Sequence, residues 1–136
     1  MRNLDIFNSA ALEIMHTSLE NFPNFISVDP NVIGKRVKDY FSDDESNDLT
    51  DKSLFHTCHA TIKWLNQEHF IVIQHENLAG VCRLTLTQKG LNALNSVPKF
   101  ADGEKKSFGQ YFVDGIKPIP FSLMVNLMAD FFSPFS

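Results

Sequence analysis

A chain of 136 residues, 43% hydrophobic and 21% charged, is long enough for one domain with a real core and too short for two comfortable ones. Its net charge of −4 weighs mildly against nucleic acid as a partner, and its two cysteines cannot build a disulfide framework. No run approaches the roughly 20 apolar residues that span a bilayer. Asp5 and its polar neighbours occupy the start where a secretory signal needs an apolar stretch, so the expected location is cytoplasmic, with no membrane contact.

In chain order, residues 4–20 place Leu4, Phe7, Ala11, Ile14 and Met15 on one side at helical spacing, with Asn3 as N-cap and Pro23 past the end. Residues 25–28 read as a short extended piece. Residues 31–41 read as a helix that turns Val32, Ile33, Val37, Tyr40 and Phe41 inward and Lys35, Arg36 and Lys38 outward. Residues 42–51 carry five acids among serine and asparagine, which predicts a solvated loop leading into a helix capped by Thr50 or Asp48.

That helix, about residues 51–68, is the centre of the reading. At 100° per residue, Leu54, Cys58, Thr61, Ile62 and Leu65 share the buried side. Lys52, His56, His59, Lys63 and Gln67 line the opposite side at spacings of 4, 3, 4 and 4. Two strands follow, 70–75 and 81–87, joined by a turn ending at Gly80. In the second, Cys82, Leu84 and Leu86 face one way, Arg83 and Thr85 the other. Thr87 then caps a helix that stops at Pro98. Charge is uneven along the chain: residues 1–50 sum to −5, residues 51–98 to +1 and residues 99–136 to 0.

The tail holds seven of the 13 phenylalanines. After a polar link, Phe108, Tyr111, Phe112 and Ile116 form a helical stripe over residues 105–116. A last helix from Pro120 has only Ser122, Asn126 and Asp130 as polar residues, at i, i+4 and i+8. So thin a polar stripe must be covered on most sides. Three covers are open: the chain's own core, a second copy of the chain or a membrane surface. The absence of basic residues over 119–136 ranks the membrane last. The favoured cover is a second copy, with Phe108, Phe112, Leu123, Leu127 and Phe131 at the homodimer interface.

The succession helix, strand, helix, helix, hairpin, helix resembles the winged helix-turn-helix superfamily, in particular small bacterial regulators of the MarR and PadR kind. The residues that carry the likeness are Ala60-Thr61-Ile62-Lys63-Trp64-Leu65 running into His69-Phe70-Ile71, and Leu84-Thr85-Leu86-Thr87-Gln88-Lys89-Gly90-Leu91 at the step after the wing. It covers about residues 4–98 and implies an α+β, mostly helical fold. The parts would be a winged-helix domain over 1–98 with a two-stranded wing, then a C-terminal helical hairpin over 99–136 that dimerises.

The resemblance further implies binding of double-stranded DNA by helix 51–68, as a transcriptional regulator or accessory factor. The candidate contacts are Lys52, His56, Thr57, His59, Lys63 and Gln67, extended by Arg83 and Lys89. The rival reading is a protein-interaction module on the same scaffold, making contact through the acidic loop and the apolar tail. His56, Cys58 and His59 have the chemistry of metal ligands, but Cys58 lies some 100° or more round the helix from both, so no metal is expected. His69 and His75 have no partners at ligand spacing. The stretch Ala101-Asp102-Gly103-Glu104-Lys105-Lys106-Ser107 lacks the second glycine and preceding strand of a phosphate loop. No catalytic constellation appears, so neither an enzyme nor a cofactor is expected.

Overall fold

A computed structural model describes residues 2–41, 49–100 and 105–133. The acidic stretch 42–48, with Asp48 as an alternative cap, and the link 101–104 lie outside the described residues. The elements are α1 (Arg2–Asn21), β1 (Ile26–Val28), α2 (Pro30–Tyr40), α3 (Asp51–Gln67), β2 (Ile71–Glu76), β3 (Cys82–Leu86), α4 (Gln88–Asn95), α5 (Phe108–Tyr111) and α6 (Phe121–Phe131). The class is α+β, with helices around a three-stranded antiparallel sheet ordered β1-β3-β2. No helix of the described residues is long and apolar enough to cross a membrane.

Helix α1 is buried on more than the one side its periodicity predicts. Ala10, Ala11, Leu12, Ile14 and Met15 are all inaccessible, because α2, α3, α6 and the sheet surround the helix. Its polar residues are satisfied internally: the Ser9 hydroxyl donates to Asp5 O at 2.8 Å and the Ser18 hydroxyl to Ile14 O at 2.7 Å. Two details differ from expectation. Asn3 lies within the helix, not at its cap, and Leu4 is half exposed.

Helix α2 is started by Asp29, whose carboxylate accepts from Asn31 N, with Pro30 at the first helical position. Val32 faces solvent, not the core, because Ile33, Gly34 and Val37 make the buried stripe. Gly34 lets α2 approach α3: an added Cβ would sit 3.3 Å from Leu54 Cβ. Thr50 caps α3 by accepting from Ser53 N, and the buried side is Leu54, Cys58, Thr61, Ile62 and Leu65, as the periodicity predicts.

The end of α3 is a Schellman turn. Phe70 N donates to Leu65 O at 2.9 Å and His69 N to Asn66 O at 3.1 Å, with His69 at φ +69° where glycine is usual. Strand β2 then pairs with β3 in the register Ile71↔Leu86, Val72↔Thr85, Ile73↔Leu84. A bulge follows. Gln74 is passed over, and His75 pairs with Arg83 and Glu76 with Cys82.

The C-terminal segment departs from a helical hairpin. The expected helix 105–116 is one turn, α5, closed by a capping box between Ser107 and Gln110. The chain leaves it through Gly115 at φ +75°. The turn at Gly115-Ile116 is held from below by buried Glu13, whose carboxylate accepts from Ile116 N at 2.8 Å and Arg36 Nη1 at 3.1 Å. Phe108, Phe112, Leu127 and Phe131 join the same core cluster as Ile14, Leu65 and Leu84. Phe131 meets Phe70, Phe108 and Phe112 with ring centroids 5.1–5.7 Å apart. The thin polar stripe of α6 is therefore explained by the chain covering its own apolar sides.

Candidate functional site on helix α3 and the hairpin

Helix α3 presents Lys52, His56, Lys63 and Gln67 to solvent, while Thr57 and His59 are half-buried. The hairpin β2-β3 lies alongside, and this alters the charge of the face. Glu76, at the end of β2, reaches across with both carboxylate oxygens. Oε1 accepts from Lys63 Nζ at 2.6 Å and Oε2 lies 2.9 Å from His59 Nε2. The hydrogen bond from Lys63 is the main cause of a carboxyl held below its ordinary range, with His59 adding to it. The same hydrogen bond raises the Lys63 ammonium. The Lys63 ammonium and the Glu76 carboxylate thus cancel in charge at this point of the face.

The imidazole of His59 is oriented by more than Glu76. It stacks on the Phe55 ring, centroids 5.8 Å apart and planes within 3°. Gly80 closes the same corner at φ +85°. A Cβ there would lie 3.0 Å from Phe55 Cζ and 3.4 Å from His59 Cδ2, so glycine is what allows the hairpin tip against α3. Under this corner lies Cys82, fully buried, with Sγ 3.5 Å from Gly80 O. Burial pushes its thiol up to about 11 and that of Cys58 to about 12.

The remaining candidates are dispersed. Lys52 stands one turn before His56 at the start of α3, and His56 meets Phe55 edge-on. Asp51 beside it pairs with Lys38 at 3.4 Å. Arg83 does not extend the stripe: it leaves β3 on the side opposite Cys82, donates to Gln74 Oε1 at 2.9 Å and sits over the Phe25 ring. Lys89 donates to Glu68 O at 2.8 Å and covers Phe70. Of the five residues expected at a dimer interface, only Leu123 keeps partial exposure; Phe108, Phe112, Leu127 and Phe131 lie in the chain's own core.

Sequence reasoning missed Glu76 and Cys82 as members of this site. Strict alternation from Ile71 and Ile73 puts His75 over Cys82 and sends Glu76 outward. The bulge at Gln74 reverses that choice, and nothing in the local composition announces it. Compared with known proteins, no family model, no curated protein and no solved structure matches this chain.

Proposed function

We propose that this chain is a winged helix-turn-helix protein that binds double-stranded DNA with α3 in the major groove, as a transcriptional regulator or accessory factor. One observation carries the reading: α3 bears Lys52, His56, Lys63 and Gln67 on its solvent side, next to an antiparallel hairpin. The element order and the strand order β1-β3-β2 suit that scaffold. Because Glu76 already occupies Lys63, a phosphate must compete for that ammonium, which makes binding weak and salt-sensitive. The regulator reading carries a homodimer with it, for which α6 offers exposed Phe121 and Ala129 and partly exposed Leu123 and Val125. Light scattering at the 15.4 kDa monomer mass would remove that part.

The test is titration of mixed-sequence duplexes at low salt. The expected outcome is a Kd that weakens steeply with salt, and a log–log slope shallower by about 0.9 in Lys63→Gln for one lost phosphate contact. Absence of binding to any duplex would overturn the reading. The second reading, a protein-interaction module on the same scaffold, is favoured by the hairpin tip. There Leu78 is 110% exposed, and neither Lys nor Arg occurs over residues 76–80.

A further inference from the structure

Helix α3 and the bulged hairpin bring three side chains of metal-binding chemistry to one point. The Nε2 or Nδ1 of His59, a carboxylate oxygen of Glu76 and Sγ of Cys82 all lie within 4.8 Å of one another. They come from separate elements: His59 from α3, Glu76 from the end of β2, and Cys82 from the start of β3 directly opposite Glu76. The geometry points to a mononuclear binding site for a zinc-like transition-metal ion, with His59, Glu76 and Cys82 as protein ligands and water in the fourth position.

The distances suit that coordination. Ligand atoms on a tetrahedral zinc ion stand about 3.3–3.6 Å apart, given bonds of about 2.0 Å to nitrogen and oxygen and 2.3 Å to sulfur. The observed triangle closes onto an ion with side-chain adjustments of roughly an ångström, and needs no change of strand register. An imidazole, a thiolate and one carboxylate select zinc, cobalt or cadmium over magnesium or calcium, which want oxygen alone.

The neighbours are arranged as supporting contacts. Lys63 holds Oε1 of Glu76 and leaves Oε2, the atom facing His59, to the ion. Phe55 fixes the imidazole plane, and Gly80 lets the hairpin close over it. The site is reachable, since the side chains of His59 and Glu76 are 28% and 27% exposed while the sulfur is sheltered below. As the ion binds, Cys82 Sγ gives its proton to solvent and becomes a thiolate ligand. For Nε2 to coordinate, the imidazole carries its N–H on Nδ1, and the hydrogen bond from His59 to Glu76 is replaced by two metal bonds.

The test uses the full chain and cobalt(II) as the probe. Titration is expected to saturate at one equivalent, with a near-ultraviolet thiolate-to-cobalt charge-transfer band and the visible bands of tetrahedral cobalt, both displaced by zinc. Cys82→Ser removes the charge-transfer band, Cys58→Ser keeps it, and His59→Gln or Glu76→Gln weakens binding by at least about tenfold. Circular dichroism checks that each variant is folded. X-ray absorption of the wild-type zinc complex needs no variant, and is expected to show one sulfur near 2.3 Å with nitrogen or oxygen neighbours. Three results would each overturn the assignment: no charge-transfer band in the wild type, a band that persists in folded Cys82→Ser or vanishes in folded Cys58→Ser, or a zinc shell without sulfur.

Discussion

Replacing Gly90 by alanine puts a methyl group where the structure already has a carbonyl. Gly90 lies in the first turn of α4, and a Cβ there would fall 2.1 Å from Phe70 O, 3.1 Å from Phe70 C and 3.3 Å from Leu86 Cδ2. The first is a backbone atom, so relief requires α4 or the Phe70 peptide to move by about an ångström to an ordinary C···O distance of about 3.3 Å. That movement strains a linked set of hydrogen bonds: Thr87 N to Phe70 O at 3.2 Å, Gly90 N to Thr87 Oγ1 at 3.1 Å, and the Thr87 hydroxyl to His69 O. Overpacking costs about 1–3 kcal/mol, and each weakened hydrogen bond about 0.5–1.5 kcal/mol. Alanine returns about 1 kcal/mol of helix propensity. The net is a loss of about 3 kcal/mol, a drop in Tm of roughly 10 °C for a chain of this length. Gly34→Ala is the internal control. Its added Cβ meets Leu54 Cβ at 3.3 Å and little else, so propensity and crowding offset to within about 1 kcal/mol. Urea unfolding followed by circular dichroism reads both variants. If Gly90→Ala matches Gly34→Ala in midpoint, the close approach of α4 to the α3-β2 junction is not as described.

Four further outcomes follow from the packing. Phe131→Ala should cost about 3–5 kcal/mol while urea unfolding remains a single transition, since its ring lies in the common core; an unchanged first transition with a separate second one would show the tail to be independent. Glu13→Ala leaves Ile116 N without its buried acceptor and should cost about 2–3 kcal/mol, and Arg36→Ala should also destabilise because it leaves the buried Glu13 carboxylate without its cation; an Arg36→Ala variant as stable as the wild type would refute the pairing. His69→Gly relieves a left-handed residue and should stabilise by about 1 kcal/mol in the same assay, and a loss would mean its side chain matters more than its backbone. Both thiols are held protonated well above neutrality by burial, so a thiol-reactive chromophore at pH 8 should label the native metal-free protein slowly and the urea-unfolded protein at once; rapid native labelling would contradict the burial.

Much of the fold is legible in the sequence, because the signals are local. The 3.6-residue period of α3 gives its buried side, Thr50 and Thr87 give two helix starts, and Gly80 marks the hairpin. Gly90, noted only as part of a motif in sequence, gains its physical reason from Phe70 O, which is 20 residues away. The failures have non-local causes. The apolar tail looks like an interface because no sequence pattern says that Phe70, Phe108 and Phe131 meet within one chain. The stripe on α3 looks basic to polar and free of acids because the carboxylate that engages Lys63 and His59 arrives from the next element. The Phe108 turn looks like three turns of helix because its apolar spacing suits both a helix and a capped turn followed by a bend at Gly115.

The supernumerary Gln74 gives β2 an unusual tolerance to editing. Excision of that one residue would straighten the ladder, leaving His75 opposite Arg83 and the acid opposite the sulfur, as they are now. Retaining it while regularising the ladder would instead hand the inner seat to His75 and trade a carboxylate for an imidazole. In this hairpin the bulge, and not the identity of any residue, decides which side chain faces Cys82, so a shift of the ladder at constant length would change the chemistry there with every amino acid kept.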